Sequence, residues 1–267
     1  MSKIAVKLPV LKKMINRFIK EAPIRPPEKV DPLVRLVRAF LEYDCDSTRA
    51  HAAEARIMSS IVDLNELRVT PAIELSATLG VRYPFVESRC SALHRTLQSI
   101  FDREHHMGLA NLENMKNAEL RRYLQTLSGI NTYVEAVVAL ECFDVPAVPV
   151  DTKLLLWLIS KGALPEGITA AEAQHILENH LKASDVLDFH RGARRDLENW
   201  VPKTWPAVPK APSPMLAPPP HHGSIPQPNA AAPTARPQTA PVAHSAVKGS
   251  SQEPAGKRKQ PPAKTKK

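Results

Sequence analysis

The residues most able to do chemistry lie between Leu127 and Lys153, and two features of that stretch matter. The first is Leu127-Ser128-Gly129-Ile130-Asn131, a short turn after which Thr132, Tyr133 and an apolar run take up helical spacing. Gly129 and Asn131 are residue types that enter positive φ at low cost, so the backbone can bend here with its N–H groups turned outward. A turn of this kind serves either as an ordinary connection between helices or as a phosphate cradle. The first amides of a helix lack internal partners and carry the positive end of its dipole. The second feature is Asp151, placed just before the apolar run LLLWLIS at 154–160. There it is either a helix N-cap or a catalytic carboxylate.

Other polar candidates carry less. His105-His106 and His221-His222 are adjacent pairs, off the spacing that puts two ligands on one helical face, so no metal site is expected. Cys45, Cys90 and Cys142 are isolated, odd in number and without CxxC spacing, which fits a reducing compartment. Cys142 is read as a core residue, and Glu135 and Glu141 as a solvated helix face.

These residues are positioned by a chain that reads as all-α. Asp31-Pro32 is a cap and first-turn pair, and Leu33, Leu36, Val37, Phe40 and Leu41 follow one helical face. Helices are predicted over about 48–60, 70–79, 85–104, 116–125, 169–182 and 185–199, with 154–160 buried on more than one face. Residues 7–20 form a basic amphipathic helix, read as docking on the fold, as lying on a membrane surface or as a DNA-facing arm. Prolines 23, 26 and 27 mark a linker. From Pro202 onward lie 16 of the chain's 26 prolines. Such a segment cannot bury enough apolar surface to offset its ordering entropy and is expected to be disordered.

Charge is distributed unevenly. Of the formal +9, the segment from 203 onward carries +9 and the first thirty residues +6, leaving −6 on residues 31–202. A nucleic-acid reader usually shows a basic footprint on its body, so DNA affinity here must come from local features or from the two ends. No apolar run approaches a membrane span, and the N-terminus lacks a secretory h-region. Cytoplasmic, nucleoid-associated localisation is the expectation.

The Leu127–Tyr133 turn and the later Val150-Asp151-Thr152 resemble the helix-hairpin-helix and Asp loop of the endonuclease III family of DNA glycosylases. The family pattern is roughly L-P-G-h-G-x-K-x-A, an apolar helix, then V-D-T. The distance from the family's Lys position, here Tyr133, to its Asp, here Asp151, is kept at 18 residues. A weaker match runs from about residue 10 to 195. The resemblance implies an all-α fold of two helical subdomains with a DNA groove between them. Its expected parts are an N-terminal helix and linker (1–30) packing with the second subdomain, a barrel-like subdomain ending in the hairpin (31–146), a second subdomain with the Asp loop (147–202) and the tail (203–267). Double-stranded DNA is the implied partner and a monomer the implied state.

Departures from the pattern refine the implied chemistry. A phenol at Tyr133 cannot form the Schiff base that the family's Lys forms, so no lyase step runs through it. Some thymine-mismatch glycosylases of the family also have Tyr there. No Cys follows Cys142, so the family's iron–sulfur cluster, which needs four thiolates, is not expected, and no cofactor is implied. The family's wedging Gln aligns near Asp44, and its frequent His after the Asp is Lys153. The implied function is a monofunctional base-excision glycosylase. In it the amides of Gly129, Ile130, Asn131 and Thr132, with Lys153, hold DNA, Tyr133 lines the base pocket, and Asp151 stabilises the sugar cation or activates water. The competing reading is a catalytically silent relative that binds DNA or scaffolds other proteins, with Tyr133 a buried helix aromatic and Asp151 a cap.

Overall fold

The computed structural model describes residues 6–24 and 30–203. The tail expected to be disordered lies, beyond Lys203, outside the described residues. Among the described residues every regular element is helical. The helices are α1 (Leu8–Lys20), α2 (Pro32–Glu42), α3 (Ser47–Ser60), α4 (Leu64–Val69), α5 (Ala72–Leu79), α6 (Val86–Glu104), α7 (Asn117–Gln125), α8 (Thr132–Phe143), α9 (Thr152–Ser160), α10 (Ala170–Glu178) and α11 (Val186–Asp196). Short 3-10 turns occupy Ala110–Asn114 and Ala183–Asp185. No described helix is long and apolar enough to cross a membrane.

Local chemistry sets the starts. The Asp31 side chain accepts from the amides of Leu33 and Val34 at 2.9 and 3.1 Å, with Pro32 preorganising the first turn of α2. Asp46 and Asp63 cap α3 and α4 in the same way. At α10, Thr169 and Glu172 form a reciprocal capping box.

Burial of the apolar faces produces two cores. One gathers the inner faces of α2, α3, α5, α6, α7 and α8, from Leu33 to Ala147. The other joins Leu11, Ile15 and Phe18 of α1 to Val148–Leu197, including Trp157 and Phe189. Phe18 stands at the centre of this second core, 4.9 Å from the Trp157 ring and 5.5 Å from Phe189. Gly192 on α11 makes the fit possible: a Cβ there would fall 1.7 Å from the Phe18 carbonyl oxygen. The basic amphipathic helix is thus a docking helix, with its apolar side on α11.

Two sequence expectations change. The helix surrounded on all sides is α8, where Tyr133 through Leu140 are all buried, while α9 leaves Leu155, Leu156 and Ile159 half-buried beside an open groove. The reason is position: α8 contributes to both cores, whereas α9 lines the space between them. Nor do Glu135 and Glu141 form a solvated face. Glu135 is buried and held by Arg121 at 2.8 Å, and Glu141 accepts from Arg35 at 2.5 Å. In a helix with no exposed side, a charge must carry its partner in with it.

Candidate nucleic-acid interface and acid site

The hairpin sits on α6. Gly129 has φ +89, and a Cβ on it would stand 2.4 Å from the Ala92 carbonyl oxygen. Thr96 donates to the Ser128 carbonyl at 3.0 Å, and Ser99 accepts from the Ser128 amide at 3.3 Å. The glycine is therefore fixed by conformation and by close approach together. Asn131 differs from expectation. It is extended at φ −110, and its side chain caps α8 by accepting from the Val134 amide at 2.8 Å. Ser128 and Thr132 are exposed, and the N–H groups of Gly129, Asn131 and Thr132 have no acceptor among the described residues. The Ile130 amide turns back to the Leu127 carbonyl at 3.4 Å.

Beside the hairpin lies a groove of about 660 Å³, lined on one side by Tyr43, Phe85 and Arg89 and on the other by Leu155, Leu156 and Ile159, with Asn131 at its edge. Tyr43 follows the end of α2, where Arg89 gathers the carbonyls of Phe40, Leu41 and Tyr43. Its hydroxyl meets the Thr152 hydroxyl at 3.3 Å, and its ring lies 5.5 Å from the Tyr133 ring. Tyr43 therefore stands between the groove and the interior.

A smaller hollow of about 20 Å³ is lined by Tyr133, Asp151, Lys153, His190 and Arg194, among others. The Tyr133 hydroxyl is buried there without a hydrogen-bond partner in the protein. Asp151 is 5% exposed, accepts from the Leu154 amide at 2.7 Å and lies 3.8 Å from Arg194. Burial pushes its carboxyl up, opposed by the Arg194 guanidinium. The Lys153 amine donates to the Glu198 carbonyl at 2.8 Å, inward rather than toward the groove, and burial lowers its pKa.

Asp44, which aligns near the family's wedging Gln, is 7% exposed, adopts φ +50 and accepts from the Lys153 amide at 3.3 Å. Two carboxylates thus serve the first turn of α9, Asp44 from the groove side and Asp151 from the hollow. Burial first, and then the charge of Asp151, push the Asp44 carboxyl up to about 6. The free amides and dipole of α9 offset part of the cost of placing two acids together. Tyr43 and Arg194 are members of this site that sequence reading missed, and Asp44 enters that reading only as the position of the family's wedging Gln. Asp44 and Lys153 are 109 residues apart, and no local pattern links them. Among the described residues no group of three or more His, Cys, Asp or Glu is arranged to hold a metal ion.

No protein-family model matches the chain, and no curated protein sequence does. Solved structures do. A non-covalent endonuclease III–DNA complex superposes with a TM-score of 0.55 at 16% identity, covering 73% of this chain and 88% of that one. A thermostable thymine-DNA glycosylase gives 0.53 at 15% identity over 73% and 88%. The Clostridium acetobutylicum 8-oxoguanine glycosylase/lyase, bound to double-stranded DNA with cytosine opposite 8-oxoguanine, gives 0.55 at 12% identity over 72% and 70%. The chain therefore has the all-α, two-subdomain helix-hairpin-helix fold of the endonuclease III-like DNA glycosylases.

Proposed function

We propose that this protein is a monofunctional DNA base-excision glycosylase. The reading is supported by one arrangement: Asp151 and Tyr133 line one hollow, and Tyr43, whose ring lies 5.5 Å from that of Tyr133, lines the groove beside an exposed hairpin. The amides of Gly129, Asn131 and Thr132 receive a backbone phosphate at the start of α8. The target nucleotide leaves the stack and enters the groove. Displacement of the Tyr43 ring from Thr152 then brings the sugar to Asp151. As the glycosidic bond breaks, the base leaves with the bonding electrons. The carboxylate stabilises the sugar cation, and water adds to C1′ as its proton passes to the Asp151 carboxylate, which hands it on to the departing base. A volume of about 20 Å³ suits a single water molecule between polar groups.

The test is incubation with duplexes carrying uracil, thymine mismatches, oxidised or alkylated bases. Expected are abasic sites that break only on alkali treatment, loss of that activity in Asp151→Asn, and no adduct on borohydride reduction. A trapped adduct on Lys153 would replace the hydrolytic reading with a lyase. A second reading, a catalytically silent DNA binder, is favoured by the small hollow and by the two partners that hold Asp151. It predicts duplex binding with no base loss on any substrate.

A further inference from the structure

Residues 31–202 are acidic in sum, yet the only charged side chains lining one hollow on this body are arginines. Arg49 and Arg56 of α3 and Arg82 of the loop between α5 and α6 surround a space of about 500 Å³, with Leu79, Gly80 and Tyr83 beneath it and no carboxylate in the lining. Arg56 and Arg82 form no ion pair among the described residues, and Arg49 pairs only with Asp46, at 3.4 Å on a half-exposed side chain. Arg56 also donates to the Leu79 carbonyl at 3.0 Å, which ties α3 to the loop.

The loop is held rigidly. Gly80 at φ +83 turns the chain out of α5, the Tyr83 amide bonds back to the Gly80 carbonyl at 3.0 Å, and Phe85 is left-handed at φ +54. The Tyr83 hydroxyl is anchored on the Leu41 carbonyl at 2.7 Å. Arginine forks around a hollow suit a tetrahedral oxyanion better than lysines do, and here Arg56 is tied to the backbone while Arg49 and Arg82 reach out from exposed positions. Asp46 offsets only Arg49, so an added anion would relieve the remaining repulsion among the three.

The position favours a nucleic-acid phosphate. α6 begins at Val86, just beyond this loop, and its Ala92 carries the hairpin glycine. Six residues of helix span about 9 Å, the axial rise of roughly three nucleotides. Phe85 and Asn131 line the same groove, so loop and hairpin flank one opening. We propose that Arg49, Arg56 and Arg82 form a second DNA-backbone clamp, which takes a phosphodiester a few nucleotides from the one at the hairpin and is indifferent to sequence. This rests on the DNA-binding part of the proposed function.

The experiment measures duplex affinity against salt for the full-length chain, for Arg49→Gln/Arg82→Gln and for Thr132→Pro. The tail contributes equally to all three, so differences between them report the body. The arginine variant is expected to bind every duplex about tenfold more weakly at 0.1 M salt, with a log–log salt slope shallower by about 1. Unchanged affinity and slope in that variant, with Thr132→Pro impaired, would overturn the clamp and leave the hairpin reading standing. No change in either would overturn DNA binding by the body altogether. Impairment of the arginine variant alone would support the clamp and remove the hairpin. Matching thermal transitions exclude misfolding as the cause.

Discussion

Asp151 caps α9 and is the proposed catalytic carboxylate, and substitutions can separate the two roles. Asn is as good an N-cap as Asp, so Asp151→Asn should keep the Leu154 bond and unfold within about 1 kcal/mol of wild type while losing activity. Asp151→Ala should lose the cap as well and unfold about 1–2 kcal/mol more easily, read by denaturant titration. His190 offers a pH test. Burial, reinforced by the neighbouring Arg194 and Arg35 and resisted by Glu141 and Glu42, pushes its imidazole down to about 4. A folded pKa below the unfolded value of about 6.5 means that its contribution is complete above that value and is lost as pH falls toward 4, on the order of 3 kcal/mol. Asp44, raised to about 6, works the other way, since its protonation below pH 6 favours the folded state. His190→Gln should therefore flatten the acid limb of the stability curve, and Asp44→Asn should steepen it. Unchanged curves in both variants would contradict the burial on which these shifts rest.

At the scale of elements, the hairpin and the α1–α11 contact are the two places where backbone geometry is decisive. Thr132 is the first helical residue of α8, where proline is tolerated, and Asn131 before it is already extended. Thr132→Pro removes one outward amide without breaking the helix, so duplex affinity should fall while the melting temperature holds. Gly192→Ala places a methyl carbon on the Phe18 carbonyl and forces α1 off α11. A loss of about 2–3 kcal/mol, or roughly 5–10 °C in Tm, is expected, with the second core loosened first. These elements were largely legible in the sequence, because periodicity, caps and glycine punctuation are local signals. Only the short α4 was not anticipated, and its Leu67 is its one buried side chain. Which faces were covered was less legible. The run LLLWLIS gives no hint that one of its sides borders a groove, and nothing in Glu135 announces Arg121.

Across the whole molecule, the site is made by the meeting of two cores, and this is the part the sequence conveyed least. Spacing linked Tyr133 to Asp151, and both do line one hollow. Yet the proposed gate and the second acid are Tyr43 and Asp44, more than a hundred residues upstream of Asp151. Their role depends on how α2 ends under the grip of Arg89, a long-range contact with no local signature. The same view reconciles an acidic body with the proposed polyanionic partner, since such binding would need only a few oriented groups, the open amides and the clustered arginines. The most direct measurement of the central claim is single-turnover release of free base from a panel of damaged and mismatched duplexes, comparing wild type with Asp151→Asn at equal DNA occupancy. The account predicts release by the wild type from at least one duplex and a rate at least about a hundredfold lower in the variant. Equal rates in the two proteins, or no release from any duplex that the wild type binds, would contradict it.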